Sequence, residues 1–579
     1  MFNNEMVLEI LYVILIGGGL ILGFEVNPLF FLLLFVAIIL IFIINNYKKT
    51  AKIKEIKEKI EEQWGKEHVE KRNFEFIKKL YDILLLDSRN SSNIDDITWR
   101  DLDMDFVFGK LDHTMSNPGQ QYLYNLLRNP VYDKKELEGR SEIINNFMKN
   151  NDFAKRIQLY LHFLGKDPKE DVTEFLWNGI KITSNPVLLY KLLVFLLIIS
   201  PLIIIFVNPG AGIFMLMLLL ISNSMIYSST KYKIYSEMMT FKYVLKLISC
   251  AKNIIKESDG NPEFDIERLK DPYNNTKIIR RNLNYLDYLS NSTGVADNLG
   301  ITGFFSIIFL MEPIGFYEAA NLINKHLKDL QELYIEIGKI DTYIALASYR
   351  ASLKYCTEPQ LTKSDVRFIK AEDIYHPLLK DPVPNSIEVR DRGILITGSN
   401  ASGKSTFLKT IGINAIFAHT FYTVLAKSYS SNYFKILTSI GTLDNIIGGD
   451  SYFMVEAKSL KRIIDVIDDN VTVLCILDEI FRGTNTIERI SAANEVLKYM
   501  IRRNCLVVAA THDIELTRLA ADYYDNYHFE EEVNDKDIKF NYILKEGPSK
   551  SRNAIKILKL LGYPEEIYKN ALDNTQKIL

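Results

Sequence analysis

The apolar positions of this chain are concentrated in blocks. Residues 7–24 and 28–44 are almost free of charge, and so are 186–207 and 209–227. A membrane-spanning helix needs about 20 apolar residues, and each block is near that length. One such block would equally suit a buried core helix, but four in two close pairs predict two transmembrane hairpins. Beyond residue 44, Ile53, Ile56, Ile60 and Trp64 recur at spacings of three and four on a charged background, which predicts an amphipathic helix leaving the membrane. Residues 101–150 open on a short polar stretch, DLDMDF, and continue as helices punctuated by Pro118-Gly119 and Pro130. Residues 230–355 read as long helices broken at Gly260-Asn261-Pro262 and Asp271-Pro272. From about residue 365, short β-rich runs (RGILITG, VTVLCILDE, CLVVAATHD) alternate with helical ones, the pattern of a parallel-sheet α/β domain.

Charge orients the hairpins. Lys48, Lys49, Lys52, Lys54, Lys57 and Lys59 follow the first, and Lys231 and Lys233 follow the second. The short turns at 25–27 and near 208 carry no Lys or Arg. The positive-inside rule then puts both termini, and everything between the hairpins, in the cytoplasm, with the chain in the cell membrane. Glu9 and Lys191 lie near block ends, where they can reach the interface. No row of ionisable residues lines any block, so the hairpins read as anchors rather than a transport pathway. No Lys or Arg precedes the first block and the second follows at once, which does not suit a cleaved signal peptide.

Composition adds limits. At 579 residues several domains are expected. The formal net charge of −3 excludes a uniformly basic nucleic-acid coat but not a local basic patch. Cys250, Cys356, Cys475 and Cys505 are far apart with no CxxC spacing, so no disulfide framework or zinc site is expected and a reducing compartment fits.

The candidate chemistry lies in the α/β region. Gly398, Ser399, Asn400, Ala401, Ser402, Gly403, Lys404, Ser405 and Thr406 fit G-x-x-x-x-G-K-[ST], between the apolar run Ile394-Leu395-Ile396 and a helical stretch. The glycines let backbone N–H groups face phosphate oxygens, and a helix N-terminus adds partial positive charge. In that context Lys404 would reach the β- and γ-phosphates of ATP and Ser405 would ligate Mg²⁺. About 70 residues on, the run VTVLCILDE ends in Asp478-Glu479: the aspartate suits the Mg²⁺ shell, the glutamate a water-polarising base. A third run ends in Thr511-His512-Asp513, where His512 could contact the γ-phosphate or orient water.

GSNASGKST, SYFMVEA at 451–457, LDEIFRGTN at 477–485 and THD at 511–513 together resemble the MutS family of ATPases. The resemblance extends to His376-Pro377-Leu378, Val383-Pro384-Asn385 and Leu561-Gly562-Tyr563-Pro564. Upstream, Leu111, Asp112, Thr114, Gly119, Leu126, Pro130 and Arg140 resemble the start of that family's helical core. It implies an ATPase of the ABC class, with ATP and Mg²⁺ held between two protomers of a homodimer. Asn400 fits the family's phosphate-loop Asn, Ser451 would reach the γ-phosphate from the partner, and Gly483-Thr484-Asn485 would cross the interface. The sequence departs from repair proteins too. Phe481 stands where they usually have Gly, and Glu488-Arg489 where they have Asp-Gly. The second hairpin falls near where they carry a DNA clamp, and the first 100 residues leave no room for a mismatch-reading Phe-x-Glu domain. Phe316-Tyr317-Glu318 matches that tripeptide but lies before a long helical run and reads as a chance match.

The expected architecture is therefore an α+β multidomain membrane protein. It comprises a transmembrane hairpin at 1–46, a charged helix and linker at 47–100 and a first part of a MutS-like helical core at 101–185. A second hairpin at 186–229, long lever-like helices at 230–360 and a MutS-type ATPase domain at 361–579 follow. The expected function is a membrane-anchored ATPase that switches conformation, with the bilayer, an unknown protein and weakly bound DNA as partners. An ABC-type transport or lipid-handling ATPase and a nucleotide-stabilised scaffold are the alternatives.

Overall fold

The apolar blocks become two helical hairpins in the structure, a computed structural model. It describes residues 4–66, 72–87, 93–167, 172–180, 185–259, 267–290, 301–399, 402–441, 452–467, 471–482, 484–533, 538–549, 555, 558 and 562–578. Among the described residues, four helices are long and apolar enough to cross a membrane: Val7–Glu25, Pro28–Gln63, Val187–Phe206 and Pro209–Lys231. Most of their apolar side chains face outward, among them Val13, Phe35, Phe195 and Phe214. Asn27 accepts from Leu29 N at 2.9 Å to form the first turn, and Asn208 does the same for Gly210 N at 2.9 Å in the second. Glu9 and Lys48, on facing helices of the first hairpin, pair at 2.5 Å. Lys191 pairs with Glu318 at 2.6 Å. Glu9 and Lys191 thus each have a partner of opposite sign.

The helices do not stop where the apolar blocks do. Leu32–Gln63 is one helix that carries the first hairpin into the charged segment, and Pro209–Ser258 does the same for the second. Helical hydrogen bonding is indifferent to side-chain polarity, so the lysines after residue 44 mark a change of surroundings and not a break. The inner end of the first helix docks on the core: Ile56 and Ile60 bury against Leu159, Lys155 pairs with Glu61 at 2.5 Å, and Gly65 N donates to Ser348 Oγ at 3.0 Å. Asp271-Pro272 does not break its helix either. Pro272 lies inside Glu267–Ser290 as its sixth residue, and the helix continues past it although the bond to Arg268 O is forgone. Gly260-Asn261-Pro262 lies outside the described residues.

The helical core is built around Leu327–Ser352, buried along most of its length against Asn117–Arg128, Lys134–Lys149 and Glu267–Ser290. Its crossing with Asn117–Arg128 requires a glycine. A Cβ on Gly119 would stand 2.1 Å from Asp341 Oδ2, the carboxylate that accepts from Ser116 N at 2.8 Å and Met115 N at 3.0 Å. Phe316 is buried against Phe241, at 5.4 Å between ring centroids, so the phenylalanine of the Phe-Tyr-Glu tripeptide is core packing.

The C-terminal region holds two sheets. Strands β1 (Gln360–Thr362), β2 (Phe368–Ile374), β3 (Asn385–Arg390) and β5 (Ser428–Asn432) form one, in the order β1-β5-β2-β3. The other contains β4 (Gly393–Thr397), β6 (Phe434–Ser439), β7 (Thr472–Asp478), β8 (Cys505–Ala510), β9 (Tyr524–Val533) and β10 (Ile538–Glu546). Its order is β10-β9-β4-β8-β7-β6, parallel except for the β9–β10 pair. β4 and β8 are buried at every position and β7 at all but its last, as central strands covered on both faces must be. The β6 edge is capped by the polar segment before the helical core. Asp101 Oδ2 accepts from Thr438 Oγ1 and Ile440 N, each at 2.9 Å, and Thr98 Oγ1 accepts from Thr438 N at 3.2 Å.

Candidate functional site

Three adjacent strands, β4, β8 and β7, end on the same side of the large sheet, so the residues that follow them share one edge. The loop after β4 turns at Gly398, whose φ of +145° leaves no room for a side chain: a Cβ there would lie 2.7 Å from Phe529 O. Ser402 Oγ donates to Ser399 O at 2.7 Å, and Ser399 Oγ donates to Glu531 Oε2 at 3.1 Å, fixing the loop to β9. The helix Lys404–Thr420 starts directly after the loop. Lys404 folds back over it, and its Nζ donates to Gly398 O and Ser399 O, both at 2.8 Å. Burial pulls the Lys404 ammonium down to about 8, against the charges of Asp478 and Glu479, which pull it up.

Across from the loop, Ser405 Oγ donates to Asp478 Oδ2 at the end of β7. Asp478 Oδ1 is buried and makes no hydrogen bond among the described residues. Burial is the main cause of the raised Asp478 carboxyl pKa, and Ser405's hydrogen bond opposes it. A buried hydroxyl–carboxylate pair with an unused oxygen is the donor set for a hard divalent cation such as Mg²⁺.

Glu479 adopts a left-handed φ of +52°, held by its N–H donating to Ala510 O at 3.0 Å. This turn brings the carboxylate to the end of β8, where Glu479 Oε1 meets His512 Nε2 at 2.8 Å. His512 Nε2 also lies 3.5 Å from Lys404 Nζ. Arg482 pairs with the other Glu479 oxygen. Burial pushes the Glu479 carboxyl up, but the His512 hydrogen bond and the charges of His512, Arg482 and Lys404 outweigh it and hold it below the ordinary value. The group is thus an ionised carboxylate.

Of the residues expected at the site, Gly398, Ser399, Ser402, Gly403, Lys404, Ser405, Thr406, Asp478, Glu479 and His512 lie along this edge. Asn400, Ala401, Ser451 and Gly483 lie outside the described residues. Phe481 has a φ of +62°, which explains why a glycine would suit that position; here the ring is buried against Phe453 at 5.4 Å. Arg489 forms two hydrogen bonds to Asp513, at 2.6 and 3.0 Å, which tie the helix Thr486–Ile501 to the residue after His512.

Three contributors were not read from the sequence: Glu531, Arg482 and a cavity. The cavity, of about 510 Å³, opens beside Gly403, Ser405 and Thr406 and is lined by Tyr375, His376, Phe529 and Tyr542. Asn385 shapes it. Its Nδ2 donates to Tyr542 O at 3.0 Å and its Oδ1 accepts from Leu544 N at 2.7 Å, bracing β10 where Tyr542 takes a φ of +53°. Burial, helped by the Lys409 charge, lowers His376 to about 4, so it lines the cavity as a neutral ring. The family-like His-Pro-Leu and Val-Pro-Asn runs were the available signal for this cavity.

Residues 394–579 match the family described as MutS domain V. Among curated proteins, the chain is 34% identical over 247 residues to the DNA mismatch repair protein MutS of Aquifex pyrophilus, covering 41% of this chain and 28% of that protein. It is 31% identical over 280 residues to the Clostridium kluyveri protein of the same name, covering 46% and 32%. It is 28% identical over 270 residues to DNA mismatch repair protein MutS 2 of Haloarcula marismortui, covering 42% and 28%. The chain thus spans about three-tenths of the length of the curated relatives it matches. Over this C-terminal part the chain is similar to MutS proteins. The Lys404–Asp478–Glu479–His512 cluster lies inside the matched region.

Proposed function

We propose that this chain is a membrane-anchored ATPase of MutS type that binds and hydrolyses ATP at a site completed by a second copy, and uses the cycle to switch conformation. The observation that carries the reading is the convergence of Lys404, Ser405, Asp478, Glu479 and His512 on one sheet edge. The loop 398–403 would wrap the phosphates with its N–H groups, and Lys404 would exchange its two carbonyl contacts for phosphate oxygens. Ser405 and Asp478 would hold Mg²⁺, which would neutralise phosphate charge. The aromatic cavity beside Thr406 is of a size for the base. Glu479, ionised and oriented by His512, would accept a proton from the attacking water.

The four apolar helices favour an anchored protein with both termini and the ATPase region in the cytoplasm. The two helices that run from the hairpins into the core without interruption would join nucleotide state to the membrane. The apolar blocks 7–24, 28–44, 186–207 and 209–227 carry no row of ionisable residues, which favours anchoring over transport.

Ser451 is the residue expected to act across the dimer. Turnover should be measured in mixtures of Ser451→Ala and Lys404→Ala proteins, each inactive alone. Partial recovery in the mixture supports a shared site, because one site per heterodimer stays intact. No recovery, with heterodimers shown to form, counts against it.

A further inference from the structure

We infer that the short helix Ile301–Ile308 and the two residues after it form a further lipid-contacting element, which docks on the second hairpin and enters the cytoplasmic leaflet beside it. The inference rests on the membrane-anchored reading and adds to it a surface that the four apolar blocks do not include. Residues 301–310, ITGFFSIIFL, carry no charge. An eight-residue helix is about 12 Å long, far short of the roughly 30 Å hydrocarbon core, so it would reach into one leaflet only.

Its position relative to the hairpin gives the argument. Just after it, Glu312 accepts from Tyr227 OH at 2.9 Å, and Glu318 pairs with Lys191 at 2.6 Å. Tyr190 packs on Tyr317 at 6.2 Å between ring centroids. These tyrosines and paired charges, gathered where both hairpin helices meet the core, have the composition of a membrane–water interface. The short helix lies on the membrane side of them. Asn223, fully buried, donates through Nδ2 to Ile308 O at 2.7 Å. Asn223 precedes Tyr227 by one turn, about 6 Å nearer the middle of the apolar span. The bond supplies a donor to a carbonyl at the end of a helix, a group that has no partner within its own helix. It also explains an asparagine inside an apolar span, where an unpaired amide is costly.

The outward face fits lipid. Leu310 and Ser306 are buried, whereas Phe304 and Phe305 are 64% and 49% exposed. Ile221 and Met225, flanking Asn223 on the hairpin, are exposed as well. Two neighbouring phenylalanines held in water beside an apolar hairpin would be unfavourable; held against acyl chains they are not.

Phe305→Trp and Phe304→Trp in the full chain, reconstituted in phosphatidylcholine–phosphatidylglycerol vesicles, test this. The readout is the emission gained over wild type, in vesicles with and without acyl chains brominated near the headgroup. Phe195→Trp, on an outward hairpin position, reports on the hairpin itself. The expected result is quenching of all three by about twofold, as for rings lying within the acyl region. Quenching at 195 without quenching at 304 and 305 overturns the inference and leaves the anchored reading standing. Red-shifted emission would then mean water, and blue-shifted emission a protein cover such as a second copy. Absence of quenching at all three overturns both.

Discussion

Glu479 Oε1 and His512 Nε2 stand 2.8 Å apart across the ends of β7 and β8, and Lys404 Nζ lies 3.5 Å from the same histidine nitrogen. One imidazole therefore touches both the carboxylate proposed as base and the lysine proposed to bind phosphate. Its position depends on Arg489 and Asp513, which pin the following residue, and on the left-handed backbone of Glu479, which turns the carboxylate toward it.

The His512 contact sets a pH dependence. Burial alone would raise the Glu479 carboxyl; the His512 hydrogen bond is the largest effect holding it down. A carboxylate with a lowered pKa stays ionised, and able to act as a base, to lower pH. In His512→Ala the Glu479 pKa should rise, so the acid limb of the turnover profile should move to higher pH. A pH profile of ATP hydrolysis checks this; an unmoved acid limb would separate the histidine from the carboxylate's ionisation.

Arg350 is the expected weak point between core and ATPase region. It ends the helix Leu327–Ser352, is buried, and donates to Thr423 Oγ1 at 2.8 Å, Asn145 Oδ1 at 2.9 Å and Phe421 O at 2.9 Å. Burial pulls its guanidinium down to about 10. Arg350→Met should leave Thr423 Oγ1 and Asn145 Oδ1 without this donor, with Phe421 O keeping only its bond from Thr423 Oγ1, and cost about 2–4 kcal/mol locally. The measurement is hydrogen exchange of residues 420–424 with thermal unfolding; wild-type protection and melting would show that the network contributes little.

DNA binding should be weak and indifferent to mismatches. Net charge is −3, and local clusters such as Lys48 to Lys59 or Arg280-Arg281 offer phosphate contacts only, which carry no sequence information and weaken steeply with salt. The expected mismatch preference is under about 1 kcal/mol, where a direct reader gains roughly 1–3 kcal/mol per base contact. Titration of matched and mismatched duplexes over a salt series tests it; a tenfold preference at physiological salt would overturn it.

The site was legible in the sequence where its chemistry is local. GSNASGKST, VTVLCILDE and THD each announce their own strand end, and the parallel sheet then makes neighbours of Ser405, Asp478, Glu479 and His512. What pairs distant segments was not legible. Asp101 reads as the first residue of a short polar stretch opening the helical core, yet it caps the edge strand at Thr438 and Ile440. Tyr542 belongs to no motif, and Asn385, 157 positions earlier, braces it as a cavity wall. The hairpin ends at 46 and 229 mark where polarity changes, but the backbone runs on as single helices to Gln63 and Ser258. Exposed Phe304 and Phe305 fall in a run too short to register as a membrane span.

The central claim is that this sheet edge hydrolyses ATP with Glu479 as the base, and Glu479→Gln in the purified full chain tests it most directly. The substitution keeps the shape and leaves Lys404, Ser405 and Asp478 in place. ATP binding should be retained, while turnover falls by about 10²-fold or more, the scale of losing a general base. Turnover near the wild-type rate would contradict the account.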